Sequence, residues 1–415
     1  MCVRTRKLYY ICTTHLISTQ ARVNQVYKIY MNSNVMRYNF AGIIAQFNTE
    51  GEDFEISNFG SGHINDTYLV KSSTDTHAGY LLQKINNFVF KNIDGLMNNM
   101  LFVVTHLKQK VSEAGGDPDK EVLTLTPTKT GKYYYHDELD NYWRMTCFLK
   151  DTKSYDLVTT KQQAHQGGVA FGRFQYLLSD LDPKVLIDTI PDFLNIEKRL
   201  LDFQDAIKNN AADRLEKVRS EVEFLNSWST AMNEIPNLGR AGILPVRTTH
   251  NDTKFNNILL DKDNNIQCVI DLDTVMPGYI AFDFGDAIRT IINTAAEDEA
   301  DLNAIQLNIP LFIEFTRGYL SQTKSFLTEA ELKSLMMGVL LLPYMQSIRF
   351  LTDYLNGDVY YKTHFAEHNL QRTHAQMQLF KMLELNREEL DSIVQTEWNN
   401  VQTDVVEIPV TKQGV

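Results

Sequence analysis

From Phe54 to Ile85 apolar and polar residues alternate in short runs separated by turn residues. Phe54–Ile56 and Thr67–Lys71 read as strands on either side of Gly60-Ser61-Gly62, and Tyr80–Ile85 as a third. The period then lengthens. Ile93, Leu96, Met97, Met100, Leu101, Val104 and Leu107 recur near helical spacing, which predicts a helix over Asp94–Lys110. Leu123–Pro127 and Tyr133–His136 flank the turn Thr130-Gly131-Lys132, and Tyr142–Leu149 is a further strand with Trp143 and Phe148 as core residues. Beyond it the pattern is mostly helical. Lys161–Ser179 is rich in glycine and aromatics, and Ile196–Ile207, Ala212–Met232, Glu329–Leu342 and Thr373–Leu385 follow, with Thr328 and Glu331 forming a capping box ahead of one of them.

One strand–turn–strand interrupts this helical half. Ile258–Leu260 and Ile266–Ile270 are short apolar runs joined by the turn cluster Asp261-Lys262-Asp263-Asn264-Asn265. The residues around it carry the chemistry. His250, Asp252 and Asn257 form H-x-D-x-x-x-x-N, and Asp271 stands at the end of the returning strand. A hairpin brings Asp271 back beside Asn257. Transfer of a γ-phosphoryl group from ATP needs a base on the attacking hydroxyl and hard oxygen ligands for Mg²⁺, the arrangement protein kinases place on such a loop and the turn after a hairpin. Asp252 is the candidate base, with His250 bracing the loop. Asn257 and Asp271 are the candidate metal ligands, and Asp273 is a further ligand or an outer carboxylate. Singly, each feature is an ordinary turn or strand end; the joint pattern is what points to phosphoryl transfer. A zinc-hydrolase reading is disfavoured, because no second histidine stands at helical spacing.

Length and composition set the frame. A chain of 415 residues forms two domains or one large bilobed one, and its net charge of −12 argues against nucleic acid or an anionic membrane as partner. The four cysteines, Cys2, Cys12, Cys147 and Cys268, lack paired spacing, which fits a reducing compartment and a cytoplasmic location. The longest apolar run, Leu335–Met345, is too short to span a membrane and contains Gly338 and Pro343. No acidic residue precedes Glu50, so residues 1–36 read as a leader or start-site extension. The expected organisation is a nucleotide-binding lobe over 37–147, a catalytic and substrate-binding lobe over 148–405, and a tail over 406–415.

At His250-Asn251-Asp252, Ile270-Asp271 and Phe282-Asp283-Phe284 the chain resembles the aminoglycoside phosphotransferase and choline kinase superfamily. It departs from the family at Asn251, where glycine is usual; asparagine tolerates the left-handed backbone better than most residues. Gly60–Tyr68, Leu82–Asn86, Ile270–Gly278, Asp283–Asp286 and Arg349–Asp353 together look like the N-acetylhexosamine 1-kinases, which phosphorylate N-acetylglucosamine or N-acetylgalactosamine at the anomeric hydroxyl.

The resemblance implies an α+β, bilobed, protein-kinase-like fold with a small antiparallel sheet and a mainly helical second lobe. It implies Mg²⁺ and ATP, and an amino sugar as the small-molecule partner. Gly60, Ser61 and Gly62 would approach the phosphates, and the backbone at Cys147 and Leu149 would meet adenine. The third strand normally supplies a cation. Gln83 falls at that position, while Lys84 has the right chemistry on the opposite face. Asp283 would anchor the catalytic loop. For the sugar, the candidates are His63, Arg349, Asp353, Tyr360 and Tyr361, with an i,i+4 surface ion pair as the alternative for Arg349 and Asp353. Glu297-Asp298-Glu299 reads as a solvated helix start. Another alcohol acceptor, and a nucleotide-binding pseudokinase, remain as alternative readings.

Overall fold

A computed structural model describes residues 29–31, 38–51, 53–60, 64–72 and 79–401. Ser61, Gly62 and His63, three of the expected ligand-binding residues, lie outside the described residues, as do Cys2 and Cys12. Met1–Met97 with Leu123–Lys150 group as one compact unit, and Asn98–Val122 with Asp151–Val415 as a second.

The first unit is built on one sheet. Its strands are β1 (Ile29–Met31), β2 (Phe54–Asn58), β3 (Asp66–Ser72), β4 (Tyr80–Ile85), β5 (Tyr135–His136) and β6 (Tyr142–Cys147), in the order β1-β2-β3-β4-β6-β5. β1 falls within the stretch read as a leader and pairs in parallel with β2; every other pairing is antiparallel. Cross-strand register places Ile56, Val70 and Tyr80 on one face, with Leu82, Met145 and Trp143. These side chains are buried against Phe40, Ile43 and Ile44 of helix α1 (Phe40–Ile44). Leu123–Pro127, expected to be a strand, makes a single bridge, Leu125 to Thr146.

Helix α2 (Ile93–Glu113) begins in the first unit and ends in the second, where α3 (Pro118–Glu121) follows. The rest of the second unit is α4 (Lys161–Leu177), α5 (Ile196–Asn209), α6 (Arg219–Met232) and α7 (Glu234–Arg240), then β7 (Arg247–Thr249), β8 (Ile258–Leu260), β9 (Ile266–Val269) and β10 (Met276–Gly278). Helices α8 (Ile280–Ile291), α9 (Ile309–Thr323), α10 (Glu329–Leu355), α11 (His368–Leu385) and α12 (Arg387–Asn400) complete it. Strands β8 and β9 form the expected hairpin, and β7 pairs with β10.

Two helix crossings explain the glycines. A Cβ on Gly168 of α4 would stand 2.1 Å from Phe315 O of α9, and one on Gly338 of α10 would stand 1.8 Å from Ala281 O of α8. Only bare backbone permits such close approach. The capping box at Thr328 and Glu331 forms as the sequence predicts. The helix does not stop at Leu342, however; it runs through Pro343 to Leu355. A proline inside a helix costs about 3 kcal/mol. Here Tyr344, Ile348, Leu351 and Tyr354 beyond it are each fully buried, and burying one such side chain contributes about 1.5–3 kcal/mol. Packing therefore outweighs the local penalty. This helix is long and apolar enough to cross a membrane, and 78% of its most apolar window is buried inside the protein.

Candidate active site

The catalytic loop is held at its base by a buried carboxylate. Asp283 on α8 accepts the backbone N–H of His250 at 2.8 Å and of Asn251 at 2.7 Å, and also the side-chain amide of Gln175 on α4. Burial lifts its carboxyl to about 6, against the pull of His250, these amides and Gln175. Asp283 thus occupies the anchoring position expected of it. Asn251 has φ 64°, the left-handed conformation that glycine would take. Its side-chain amide donates to Thr249 O and Thr274 O at 3.1 and 3.0 Å, which ties the loop to strand β7 and to the turn ahead of β10.

His250 is fully buried. Its Nε2 lies 3.0 Å from Ile270 O, its Nδ1 accepts the N–H of Asp252 at 3.3 Å, and its ring contacts Phe171 and Phe174. Every contact braces the loop.

Asp252 presents its carboxylate beside Lys254, whose Nζ lies 3.1 Å from Oδ1. Desolvation works to raise the Asp252 carboxyl; the charges of Lys254, His250 and Arg289 outweigh it, and the group is held below its ordinary value. Lys254 is raised in turn, by Asp252 first and then, against its own desolvation, by Glu297 and Asp286. Asn257 donates its Nδ2 to Asp252 O at 2.8 Å and to Asp252 Oδ2 at 3.3 Å. Ile270 N–H donates to Asn257 O at 2.9 Å, so the hairpin does return Asp271 to Asn257. Asp271 has φ 60° and is exposed, whereas Asp273 is 2% exposed. Asn257, Asp271 and Asp273 supply one amide oxygen and two carboxylates, a hard-oxygen set. Among the described residues no cluster of three His, Cys, Asp or Glu side chains encloses a metal position. A few protein oxygens completed by phosphate and water is the way Mg²⁺ is usually held, so this set fits that ion.

Three residues of this network are not singled out by the sequence pattern. Lys254 stands two positions past the base. Asp286 and Arg289 share one face of α8 at i,i+3 spacing, and Asp286 Oδ1 takes Arg289 Nε at 3.0 Å and Nη2 at 2.9 Å. The third Arg289 nitrogen, Nη1, donates to Glu297 Oε1 at 2.7 Å. Glu297 is therefore not at a helix start, and although exposed it is engaged in an ion pair. It lies in the connection between α8 and α9; desolvation by the surrounding protein works to raise its carboxyl, and the charges of Arg289 and Lys254 outweigh it and hold it low.

The expected sugar residues divide. Asp353 is 4% exposed and fully engaged. Its Oδ1 accepts the N–H of Val359 and Tyr360 at 2.9 and 2.8 Å, and its Oδ2 that of Tyr361 at 3.0 Å and the amide of Asn369 at 2.8 Å. It is a turn anchor rather than a substrate ligand, and Arg349 is not among its partners. Arg349 instead lies over the rings of Phe193 and Tyr361, at 5.6 Å from each. Tyr360 is 58% exposed and stands edge-on to Tyr361 at 4.8 Å.

In the first unit, Lys84 and Gln83 face apart, as alternation along the strand implies. Lys84 lies on the α1 face, where its Nζ meets Tyr38 Oη at 2.9 Å and Asp66 at 3.4 Å. On the other face Gln83 Nε2 donates to Thr67 Oγ1 at 3.1 Å, and Gln83 Oε1 accepts from Arg144 Nε at 2.9 Å. The cation beside the Gln83 position is thus Arg144, from the neighbouring strand. Gly60 has φ 76° with open space where a Cβ would point. The N–H of Cys147 donates to Thr124 O and that of Phe148 to Gly79 O, so these two amides are used within the unit.

A separate cavity of about 340 Å³ in the second unit is lined by Asp188, Asp192, Phe193, Tyr279 and Phe282, and reaches Asn251.

Residues 55–314, more than half of the chain, match the phosphotransferase enzyme family. Among solved structures the chain is similar to an aminoglycoside phosphotransferase from Alicyclobacillus acidocaldarius, with TM-score 0.54 and 14% identity over 86% of this chain and 96% of that one. It is similar to amicoumacin kinase in complex with AMP-PNP and Ca²⁺, with TM-score 0.52 and 12% identity over 82% and 91%. A third, the GDP complex of aminoglycoside 2'-phosphotransferase-IIIa, gives TM-score 0.50 and 12% identity over 85% and 98%. At these identities the likeness is one of fold: an antiparallel N-terminal sheet followed by a helical part. With the family match spanning the anchored catalytic loop and its hairpin, the chain belongs to the phosphotransferase enzyme family.

Proposed function

We propose that this protein is an ATP- and Mg²⁺-dependent kinase that phosphorylates the anomeric hydroxyl of an N-acetylhexosamine, N-acetylglucosamine or N-acetylgalactosamine. The observation that carries the reading is the environment of Asp252. A carboxylate kept ionised by Lys254 at 3.1 Å is ready to take a proton from an acceptor hydroxyl. The anomeric hydroxyl is the most acidic on a sugar, so a carboxylate is an adequate base for it. The remaining requirement is positioning and charge neutralisation. Asn257, Asp271 and Asp273 would hold Mg²⁺, which when bound neutralises phosphate charge. Arg144, on the Gln83 face, would meet the nucleotide phosphates in place of the usual strand lysine.

Arg349 and Tyr361 offer the polar and ring surfaces that suit a pyranose. A cationic acceptor such as choline or an aminoglycoside is the second reading. It is favoured by the cavity at Asp188, Asp192, Phe193 and Tyr279, which combines carboxylates with aromatic rings.

The test is to incubate the protein with Mg-ATP and a panel of free sugars, choline and aminoglycosides, following ADP release and product mass. An acid-labile N-acetylhexosamine phosphate is the expected product, and Asp252→Asn abolishes its formation without loss of fold. Turnover of choline or an aminoglycoside alone moves the acceptor to the second reading. ATP binding with no turnover of any acceptor makes the protein a pseudokinase.

A further inference from the structure

Glu297 is held from two sides. Through its carboxylate it grips Arg289 at 2.7 Å, and Arg289 is itself fixed on Asp286. Through its backbone it is fastened to α11: Gln376 Nε2 donates to Glu297 O at 3.3 Å, Gln371 Nε2 to Asp298 O at 2.6 Å, and His368 lies 2.9 Å from the Asp298 carboxylate. The same helix holds the tyrosine turn. Asn369 bonds Asp353 and Asp358 at 2.8 Å each, and Arg372 donates to Lys362 O at 3.3 Å while lying over Phe350, which packs on Tyr361. Alternate positions along α11 therefore brace two separate segments, one bearing Glu297 and the other Tyr360 and Tyr361. The negative charge of Glu297 favours the protonated form of both Lys254 and Tyr361.

Three enclosed polar atoms on residues tied to this network have no hydrogen-bond partner among the described residues: Asp286 Oδ2, Tyr361 Oη and Gln376 Oε1. Asp286 is 5% and Gln376 1% exposed, whereas the Glu297 side chain remains 43% exposed. An ion pair serving stability alone needs neither the open carboxylate nor unsatisfied atoms on the residues that brace it, since buried polar groups are normally paired.

Building on the sugar-kinase reading, we infer that Glu297 is a specificity residue that accepts hydrogen bonds from ring hydroxyls of the acceptor, away from the hydroxyl that Asp252 deprotonates. Arg289, Asp286 and α11 aim it. The ligand class is a neutral polyol with adjacent hydroxyls. A site that hydrogen-bonds a substrate hydroxyl discriminates strongly against the analogue lacking it.

The experiment measures initial rates of the full chain and of Glu297→Gln and Glu297→Asp with the accepted sugar, its monodeoxy analogues and ATP. In the native protein one or two deoxy analogues are expected to lose about 10- to 100-fold in kcat/KM, as loss of a hydrogen bond to a charged group implies. Glu297→Gln raises the acceptor KM about tenfold, leaves the KM for ATP within about twofold, and erases the penalty for those same analogues. Glu297→Asp, which keeps the charge for Arg289, gives the same analogue pattern if the glutamine variant fails to fold. An unchanged acceptor KM, or an equal loss on every analogue, overturns the role of Glu297 while leaving the sugar-kinase reading intact. A native protein that phosphorylates choline or an aminoglycoside but no sugar overturns both.

Discussion

Replacing Lys254 with methionine removes the cation nearest the base and keeps most of the side chain's bulk. At 3.1 Å two unit charges attract by about 5 kcal/mol at an effective dielectric near 20. The Lys254 side chain is 41% and that of Asp252 19% exposed, so solvent screening leaves about 1–3 kcal/mol. Without that attraction the Asp252 carboxyl rises from its depressed position, because burial then acts with less opposition. Asp252 must be ionised to act, so the acid limb of kcat/KM moves to higher pH. The native protein, with the carboxyl held below its ordinary value, stays active down to the pH at which other groups fail. The variant loses activity at a higher pH than the native protein as the medium is acidified, and keeps most of it above neutrality. Lys254→Arg retains the charge and the native profile. The assay is the pH dependence of kcat/KM, with folding checked by circular dichroism at each pH. A Lys254→Met profile superimposable on the native one, or lowered equally at every pH, would refute the pairing of Lys254 with the base.

Arg144→Met should raise the KM for ATP about tenfold or more and leave that of the acceptor unchanged, while Lys84→Met on the opposite face should change neither; steady-state kinetics separate the two. Gly338→Ala places a methyl 1.8 Å from Ala281 O, and overpacking of this kind costs about 1–3 kcal/mol or more, read as a lowered denaturation midpoint. Burial lifts Asp283 to about 6 from an ordinary 3.8. The folded-state pKa is the higher one, so the contribution of this group to stability is full below about pH 4 and is lost as pH rises through 6. The native protein should lose about 3 kcal/mol relative to Asp283→Asn across that window, measured by denaturant unfolding from pH 4 to 7.5; a pH-independent difference between the two would contradict the raised value.

Much of the centre of this protein was legible from local order along the chain. His250, Asp252, Asn257 and Asp271 lie within a few turns and one hairpin of each other, so spacing and turn chemistry alone brought them together. The left-handed backbone at Asn251 and the capping box at Thr328 are equally local. What the chain could not disclose were the choices made by packing between distant segments. Alternation says that Gln83 and Lys84 face apart, but only the burial of Leu82 and Trp143 against α1 decided that Lys84 turns away and Arg144 stands beside Gln83. Pro343 reads as a helix stop until the buried side chains beyond it are counted. Asp353 reads as a sugar ligand until the turn at Val359–Tyr361 folds back on it and uses both its oxygens. Glu297 reads as a solvated charge until α11, some seventy residues further on, fastens its loop against Arg289. The physical reason is common to all four. Short-range geometry follows from backbone preferences that each residue carries with it, whereas the surroundings of a side chain are set by which distant surface packs against it.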